Sequence, residues 1–529
     1  MSIFPGEKLG YAETHFKFKL PWSLLYRPWP EVIFDAPFQF VPGVEPFIYL
    51  VVRDAHQFPT HIEDVEVAVK VLQGQSTNKL TNIYQLNIPM NVTASKPFAF
   101  YTIPLKKLDP GKYFIEAKAK LRKKNGAKKV ITRWNLPGLK KEYLQINILQ
   151  ETPPLAPGFV VGEMHCHTHY SADHVEFGAT PQVLQQTAKA IGLDFVNCTD
   201  HAYDFFYSEE DYTKKNSVPR FSQFQKEIEK LNNGNSPLML SGEEVSVGNH
   251  MGENVHMTAF SPTDYLSGLG DCGRNWLNNK PTFRIEQVLA QTEAPCFAAH
   301  PKEPMGFLER FVFRRGYWSH QDLHIKEKNP IRGIQFWNGV RDEGFFEGKK
   351  FWIEELGKEN YILPIGGNDA HGDLNDTTKV AFPLFTLKHN RHHIFGQVRT
   401  GIFVGEEVGK SIPLSKEILQ NAFASKNGNC FVTNGPALWW SPLQNNRITF
   451  HAKSTEDLGI FRYIRIYGRR RLPSGKLSSK EELHLDSVVA APRETSLNVN
   501  VEDFAYLRAE CETEKGHFAL TSACVLKGF

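Results

Sequence analysis

Two histidines separated by one residue give this chain its first chemical signal. The stretch from Val161 to Asp173 reads V-G-E-M-H-C-H-T-H-Y-S-A-D. In an extended strand side chains alternate between faces, so His165 and His167 point the same way and Cys166 points the other. Imidazoles sharing a face need something to satisfy them, because unpaired ring nitrogens cost free energy once water is removed. A shared metal ion does so. With 20 histidines in 529 residues the pair alone is unspecific, since close pairs also arise by chance.

Other segments bring matching residues. Asp200 and His201 close D-F-V-N-C-T-D-H, Glu243 and Glu244 close L-M-L-S-G-E-E, and His300 closes C-F-A-A-H. Asp369 and His371 close I-L-P-I-G-G-N-D-A-H, and His256 sits inside the strand-like N-V-H-M-T-A-F. Metal-capable side chains at the ends of independent strand-like segments point to one shared metal site. His169, His174 and His250 are near enough in sequence to compete for it and are read as structural.

The elements that must position these residues follow from periodicity. Strand-like runs alternate with amphipathic helices near Pro181 to Ile191, Ser222 to Leu231, Arg284 to Gln291 and Lys349 to Lys358. That rhythm argues for parallel pairing in an α/β domain, and about seven such units in about 250 residues fit a barrel, where chemistry sits at strand ends. Residues 1–45 read as an irregular arm rich in proline and aromatics, among them Trp22 and Tyr26. Residues 46–152 carry alternating runs such as V-E-V-A-V-K-V-L and Y-F-I-E-A-K-A-K-L, a β-sandwich pattern. A proline-marked boundary then leaves 158–436 to the α/β domain, and strand patterns such as F-R-Y-I-R-I-Y-G make 437–529 a second β-domain. The run K-L-R-K-K-N-G-A-K-K reads as a solvated hairpin tip.

Composition narrows the partners. With 61 basic and 58 acidic residues the net charge is +3, which makes no general case for nucleic acid or an anionic membrane. No run reaches the roughly 18 apolar residues of a spanning helix. The charged, proline-bearing start reads as neither signal peptide nor anchor. Seven scattered cysteines suit neither a disulfide framework nor a thiolate zinc site. The expected compartment is the cytoplasm and the expected partner a small anionic or ester substrate; oligomeric state is not legible.

In order along the chain, the central region resembles the PHP (polymerase and histidinol phosphatase) superfamily. The resemblance rests on His165-Cys166-His167, Ser171-Ala172-Asp173, Thr199-Asp200-His201, Gly242-Glu243-Glu244, His256, Ala299-His300-Pro301 and Asp369-Ala370-His371. It implies a distorted seven-stranded barrel of PHP type and up to three metal ions held by nine side chains. Carried over by residue, His165, His167, Glu244 and Asp369 would hold one ion, with Glu244 bridging to a second held by His256 and His300. Asp173, His201 and His371 would hold the third. The serine element departs from the family's S-D-G by an inserted alanine and a missing glycine, and Glu243 is left as a structural or supporting residue. The flanking β-domains and V-T-N-G-P look like a branch containing carbamate and aryl-ester hydrolases.

The expected chemistry is metal-assisted hydrolysis, in which a water bridging two ions loses a proton and attacks phosphorus or a carbonyl carbon. Zinc, manganese and iron all accept such mixed nitrogen and oxygen ligands, in two or three sites. Asp200 is a candidate for supporting a ligating imidazole or assisting proton transfer, or is merely structural. Arg310, Arg314 and Arg315, in F-L-E-R-F-V-F-R-R, are candidates for gripping a substrate phosphate, with surface solvation the alternative. The leading reading is a phosphoesterase. Its alternatives are a carbamate or aryl-ester hydrolase on the same site, and a non-catalytic binding module.

Overall fold

In the computed structural model the described residues are 7–9, 11–12 and 28–526, apart from 74–78, 137, 140–141, 173–175, 212–213, 235, 272–278, 382–385, 426–427 and 488–491. Asp173, His174 and the arm's Trp22 and Tyr26 therefore lie outside the described residues.

Strict alternation turns the N-terminal runs into half-buried strands. In Thr60–Leu72 and Gly111–Arg122 the inward positions are Val65, Val67, Val69, Ile115, Ala117 and Ala119. On the outer face Lys120 pairs with Asp64 and Glu66 at 3.2 and 2.7 Å. These strands belong to a six-stranded sheet that shares one core with the three-stranded sheet Glu31–Asp35, Phe47–Arg53 and Phe98–Pro104. The result is a β-sandwich whose strand Glu31–Asp35 begins inside the segment expected to be an irregular arm. The lysine-rich run turns between paired strands, with Lys123 N donating to Ala127 O at 2.9 Å.

Phe159–His167 (β1) is buried at every position. Parallel to it run Phe195–Cys198 (β2) and, beyond that, Leu238–Ser241 (β3). Helix Pro181–Ile191 (α1) makes the connection from β1 to β2: Thr180 caps its first turn, and Gly192, at φ 78°, ends it. A second, five-stranded sheet follows in the order Glu243–Gly248 (β4), Asn254–Ala259 (β5), Cys296–Ala299 (β6), Ile331–Asn338 (β7) and Leu363–Gly367 (β8).

The expected seven-stranded (β/α) barrel is not what these strands form. They lie in two open sheets, and among the described residues no sheet closes on itself. Three local causes are visible. First, β4 and β5 are joined by the short turn Asn249–Glu253 and pair antiparallel, since a parallel return needs a crossover of roughly a dozen residues. Second, the chain leaves one sheet for the other at Gly242, where a Cβ would stand 2.5 Å from Asn197 Oδ1. Third, the backbone N–H and C=O of Gly366, on the edge strand β8, are taken by the Thr400 hydroxyl at 2.9 and 2.8 Å.

Beyond β1 its sheet continues antiparallel through Arg399–Phe403 (β9) and Cys430–Thr433 (β10) to Phe518–Thr521, Phe504–Thr513 and Phe461–Arg470. The ladder thus runs across the position where the sequence suggests a domain boundary. A three-stranded sheet, Ala437–Gln444, Arg447–Lys453 and Glu494–Asn500, shares a core with these last strands. Among the described residues no helix is long and apolar enough to cross a membrane.

Candidate metal centre

Glu244, on β4, is the hub. Its Oε1 lies 2.7 Å from His256 Nδ1, 3.1 Å from His300 Nε2 and 3.4 Å from His165 Nε2. Its Oε2 lies 2.9 Å from His201 Nδ1 and 3.5 Å from His167 Nε2. Asp369 Oδ1 completes the far side, 2.9 Å from His167 Nε2 and 3.3 Å from His165 Nε2. The donors fall into overlapping groups of metal-binding size: His165/His167/Glu244/Asp369, Glu244/His256/His300, and His167/His201/His371. A fourth group, His300/Glu303/Asp369, includes a carboxylate that sequence reasoning did not single out.

Local structure explains the convergence. His165 and His167 share one face of β1, as alternation requires, and both are fully buried. The two-residue strand Ala370–His371 pairs parallel with the end of β1, His371 opposite His167, so the two rings stack 4.0 Å apart at 10°. Asp369 N donates to His165 O at 2.7 Å, which ties the last ligand to the first. Both Asp369 (φ 52°) and His300 (φ 27°) hold left-handed backbone, the sort of local strain that surrounding structure sustains at functional sites. At Gly367 a Cβ would stand 2.8 Å from His165 Cβ, so the close approach of β8 to β1 requires glycine there.

Hydrogen bonds behind the rings choose which nitrogen faces inward. His165 Nδ1 pairs with Gln335 Oε1 at 2.7 Å and His167 Nδ1 with Ser171 Oγ at 3.1 Å, so each presents Nε2. For His256 the order is reversed: Nε2 meets Asp271 Oδ2 at 2.9 Å and Nδ1 faces Glu244.

The donor set fits cations on two counts. The Nε2 atoms of His165 and His167 face one another at 3.2 Å. His201 Nδ1, His256 Nδ1 and Glu244 Oε2 are buried without an aligned hydrogen bond, a costly state that a bound cation relieves. Charge agrees: burial opposes ionisation of Glu244, yet His256 and His165 hold its carboxyl well below the usual range. Burial likewise opposes a proton on His165, but Glu244 and Asp369 push it up to about 9. His256 rises to about 10 against its own burial, chiefly through Glu244 and then Asp271. The pocket thus attracts positive charge, whether carried by protons or by metal. These are buried clusters of His, Asp and Glu arranged to coordinate metal ions.

Asp200 is engaged by the turn that follows β1. Its Oδ1 accepts from Thr168 N and Ser171 N at 2.8 and 3.0 Å, and its Oδ2 accepts from the Thr168 hydroxyl at 2.8 Å, so it organises the turn after β1. Arg310 and Arg314 are exposed, the former lying over Tyr317 at 5.8 Å. It is Arg315 that turns inward, donating to Asp271 Oδ2 at 2.6 Å. His169 packs against Phe98 with ring centroids 5.0 Å apart and planes tilted by 59°, and His250 pairs with Asp322 and Ser319, both outside the groups.

Of the residues that sequence reading passed over, Gln335 had a signal, being polar within the otherwise apolar run I-Q-F-W of β7. Glu303 follows His300 by three residues in H-P-K-E. Asp271 sits in a glycine-rich loop where no periodicity marks it.

No protein-family model matches the chain, and no curated protein matches it. Among solved structures, an FMN-binding β-glucuronidase from Facaelibacterium prausnitzii L2-6 is 10% identical over 93% of this chain and 73% of that one, with a TM-score of 0.20. A Bacteroides uniformis β-glucuronidase is 7% identical over 94% and 60%, with a TM-score of 0.18. TM-scores of this size define no common fold.

Proposed function

We propose that the chain is a metal-dependent hydrolase of phosphoesters, working in the manner of the PHP superfamily that its ordered ligands resemble, with two or three Zn, Mn or Fe ions. The observation that supports this most is Glu244, whose two oxygens reach separate nitrogen clusters, as a carboxylate shared between cations must. When bound, such cations supply Lewis acidity, polarising a substrate oxygen and acidifying water near neutral pH.

The protein's own groups do the rest. Gln335 and Ser171 fix the rings of His165 and His167, so the lone pairs need no reorganisation when a ligand arrives. Burial of the hub keeps competing water away from it. Few carboxylates among many neutral imidazoles leave surplus positive charge once ions bind, which suits a dianionic phosphoester. Glu303, partly exposed and 3.6 Å from His300 Nδ1, is placed to hold a proton for a leaving group at its carboxylate.

One observation favours the carbamate or aryl-ester alternative: the Tyr203 ring stacks on His201 at 4.8 Å and 14°, an aromatic wall beside the cluster. Metal-loaded protein assayed in parallel on aryl phosphate and aryl ester separates the readings. Phosphate release that a chelator abolishes is expected. Ester cleavage alone supports the alternative, and bound metal without turnover of either supports a binding module.

A further inference from the structure

We propose that Asp271 is a positioning residue of this centre, turning the Nδ1 lone pair of His256 onto Glu244 and thereby building the Glu244/His256/His300 site. The inference rests on the metal-dependent reading above and adds to it a residue outside the ordered ligand set.

Asp271 is fully enclosed, and its oxygens are engaged by groups that only donate or are free to donate. Oδ1 accepts the Ser246 hydroxyl at 2.6 Å; Oδ2 accepts Arg315 Nε at 2.6 Å and meets His256 Nε2 at 2.9 Å. Arg315 is always protonated, so the carboxylate beside it stays ionised and acts as an acceptor. Arg315 Nη2, which can only donate, also stands 3.4 Å from His256 Nε2, but the ionised Asp271 Oδ2 is nearer at 2.9 Å and draws the ring hydrogen onto Nε2. That leaves Nδ1 unprotonated in the neutral ring, 2.7 Å from Glu244 Oε1 and without an aligned hydrogen bond.

Strand register shows why this ring uses the opposite nitrogen from His165 and His167. His256 lies within β5, directly opposite Ser246 of β4, while Glu244 lies opposite Thr258. From mid-strand the nitrogen nearer the backbone is the one within reach of Glu244, so the outer nitrogen has to be occupied from behind. Ser246, the cross-strand neighbour, holds the carboxylate that does this, and Trp318 Nε1 fixes the His256 backbone by donating to its carbonyl at 3.1 Å. Outer partners of metal-binding imidazoles typically alter metal affinity by about 10–100-fold.

The test uses full-length protein stripped with chelator and titrated with Zn²⁺ against a coloured competitor, wild type beside Asp271→Asn. The variant is expected to bind one equivalent about 10–100-fold more weakly, with the remaining equivalents unchanged. An unaltered titration in the variant, while the wild type fills its sites, overturns the inference and leaves the metal-dependent reading standing. A wild type that takes up no Zn²⁺ overturns both. Should Asp271→Asn fail to fold, imidazole nitrogen NMR of the Zn²⁺-loaded wild type decides. A protonated Nε2 with a metal-shifted Nδ1 on His256 supports the inference, and a metal-shifted Nε2 overturns it.

Discussion

The Nε2 atoms of His165 and His167 stand 3.2 Å apart with each Nδ1 already engaged by a neighbour. Neutral rings in those tautomers direct lone pair at lone pair, so the approach is favourable only with positive charge between them. The double variant His165→Ala/His167→Ala removes both lone pairs. Since outer partners alone are worth about 10–100-fold, loss of the ligands themselves should lower hydrolysis by more than about 100-fold and lose at least one bound ion. The core clusters on either side of β1 are apolar and do not depend on that ion, so circular dichroism should stay that of the folded protein. Unchanged turnover would contradict the site.

Gly367 tests how tightly β8 must approach β1. A methyl group there would meet His165 Cβ at 2.8 Å and His165 N at 3.0 Å, and backbone cannot swing aside as a flexible side chain can. Gly367→Ala should destabilise the fold by about 1–3 kcal/mol through overpacking. It should also weaken metal binding, because the strain falls on His165. A urea titration combined with metal analysis of the purified variant reads both effects.

The convergence of His, Asp and Glu side chains was legible in the sequence because metal chemistry constrains residue type. The H-x-H pair follows from strand alternation, and the other donors, apart from mid-strand His256, stand at or beside strand ends. The two open sheets that stand where a barrel was expected were not legible in the same way. Strand-helix rhythm carries no information about which backbone groups a side chain will occupy, and Thr400 on the N–H and C=O of Gly366 is such a case. The antiparallel β5 could have been read from the length of the Asn249–Glu253 connection. For Asp200 the sequence left a supporting and a structural role open, because adjacency to His201 does not set direction; its carboxylate is engaged by Thr168. Nor does sequence set the direction of the arginines: in F-R-R it is the last one that turns toward buried Asp271.

Arg310 and Arg314 therefore supply a prediction of little change. Both are exposed. Arg310→Ala and Arg314→Ala should each leave kcat/KM for aryl phosphate within about twofold of wild type, the range of surface substitutions worth about 0.5 kcal/mol or less. A rise in KM of tenfold or more in either variant would return that guanidinium to the substrate.

Removal of metal should cost stability as well as activity. Ions that bind the folded cluster and not the unfolded chain add about 2.7 kcal/mol at a concentration 100 times their Kd. They also relieve the buried atoms that lack aligned partners, His201 Nδ1, His256 Nδ1 and Glu244 Oε2. Chelated protein should melt several degrees lower than loaded protein, and Zn, Mn or Fe should raise the melting temperature with the logarithm of its concentration. Identical melting curves with and without chelator would count against bound ions.

Asp35 gives the fold a pH dependence of its own, away from the metal ligands. Its Oδ2 accepts the Tyr11 hydroxyl at 2.7 Å and Leu374 N at 3.0 Å, joining the N-terminal sandwich to the loop that follows His371. Burial pushes its carboxyl up from 3.8 to about 6, against the charge of Arg133. An acid whose folded pKa is raised holds more protons folded than unfolded between those two values. Stability from this group is thus fully present below about pH 4, falls as pH rises through about 6, and stays lost above. A shift of this size corresponds to about 3 kcal/mol as an order of magnitude. In Asp35→Asn the titration is gone, so urea midpoints measured from pH 4 to 7 should decline less steeply than in wild type. Parallel curves for the two proteins would show that Asp35 titrates alike in folded and unfolded chains, and that burial does not govern it.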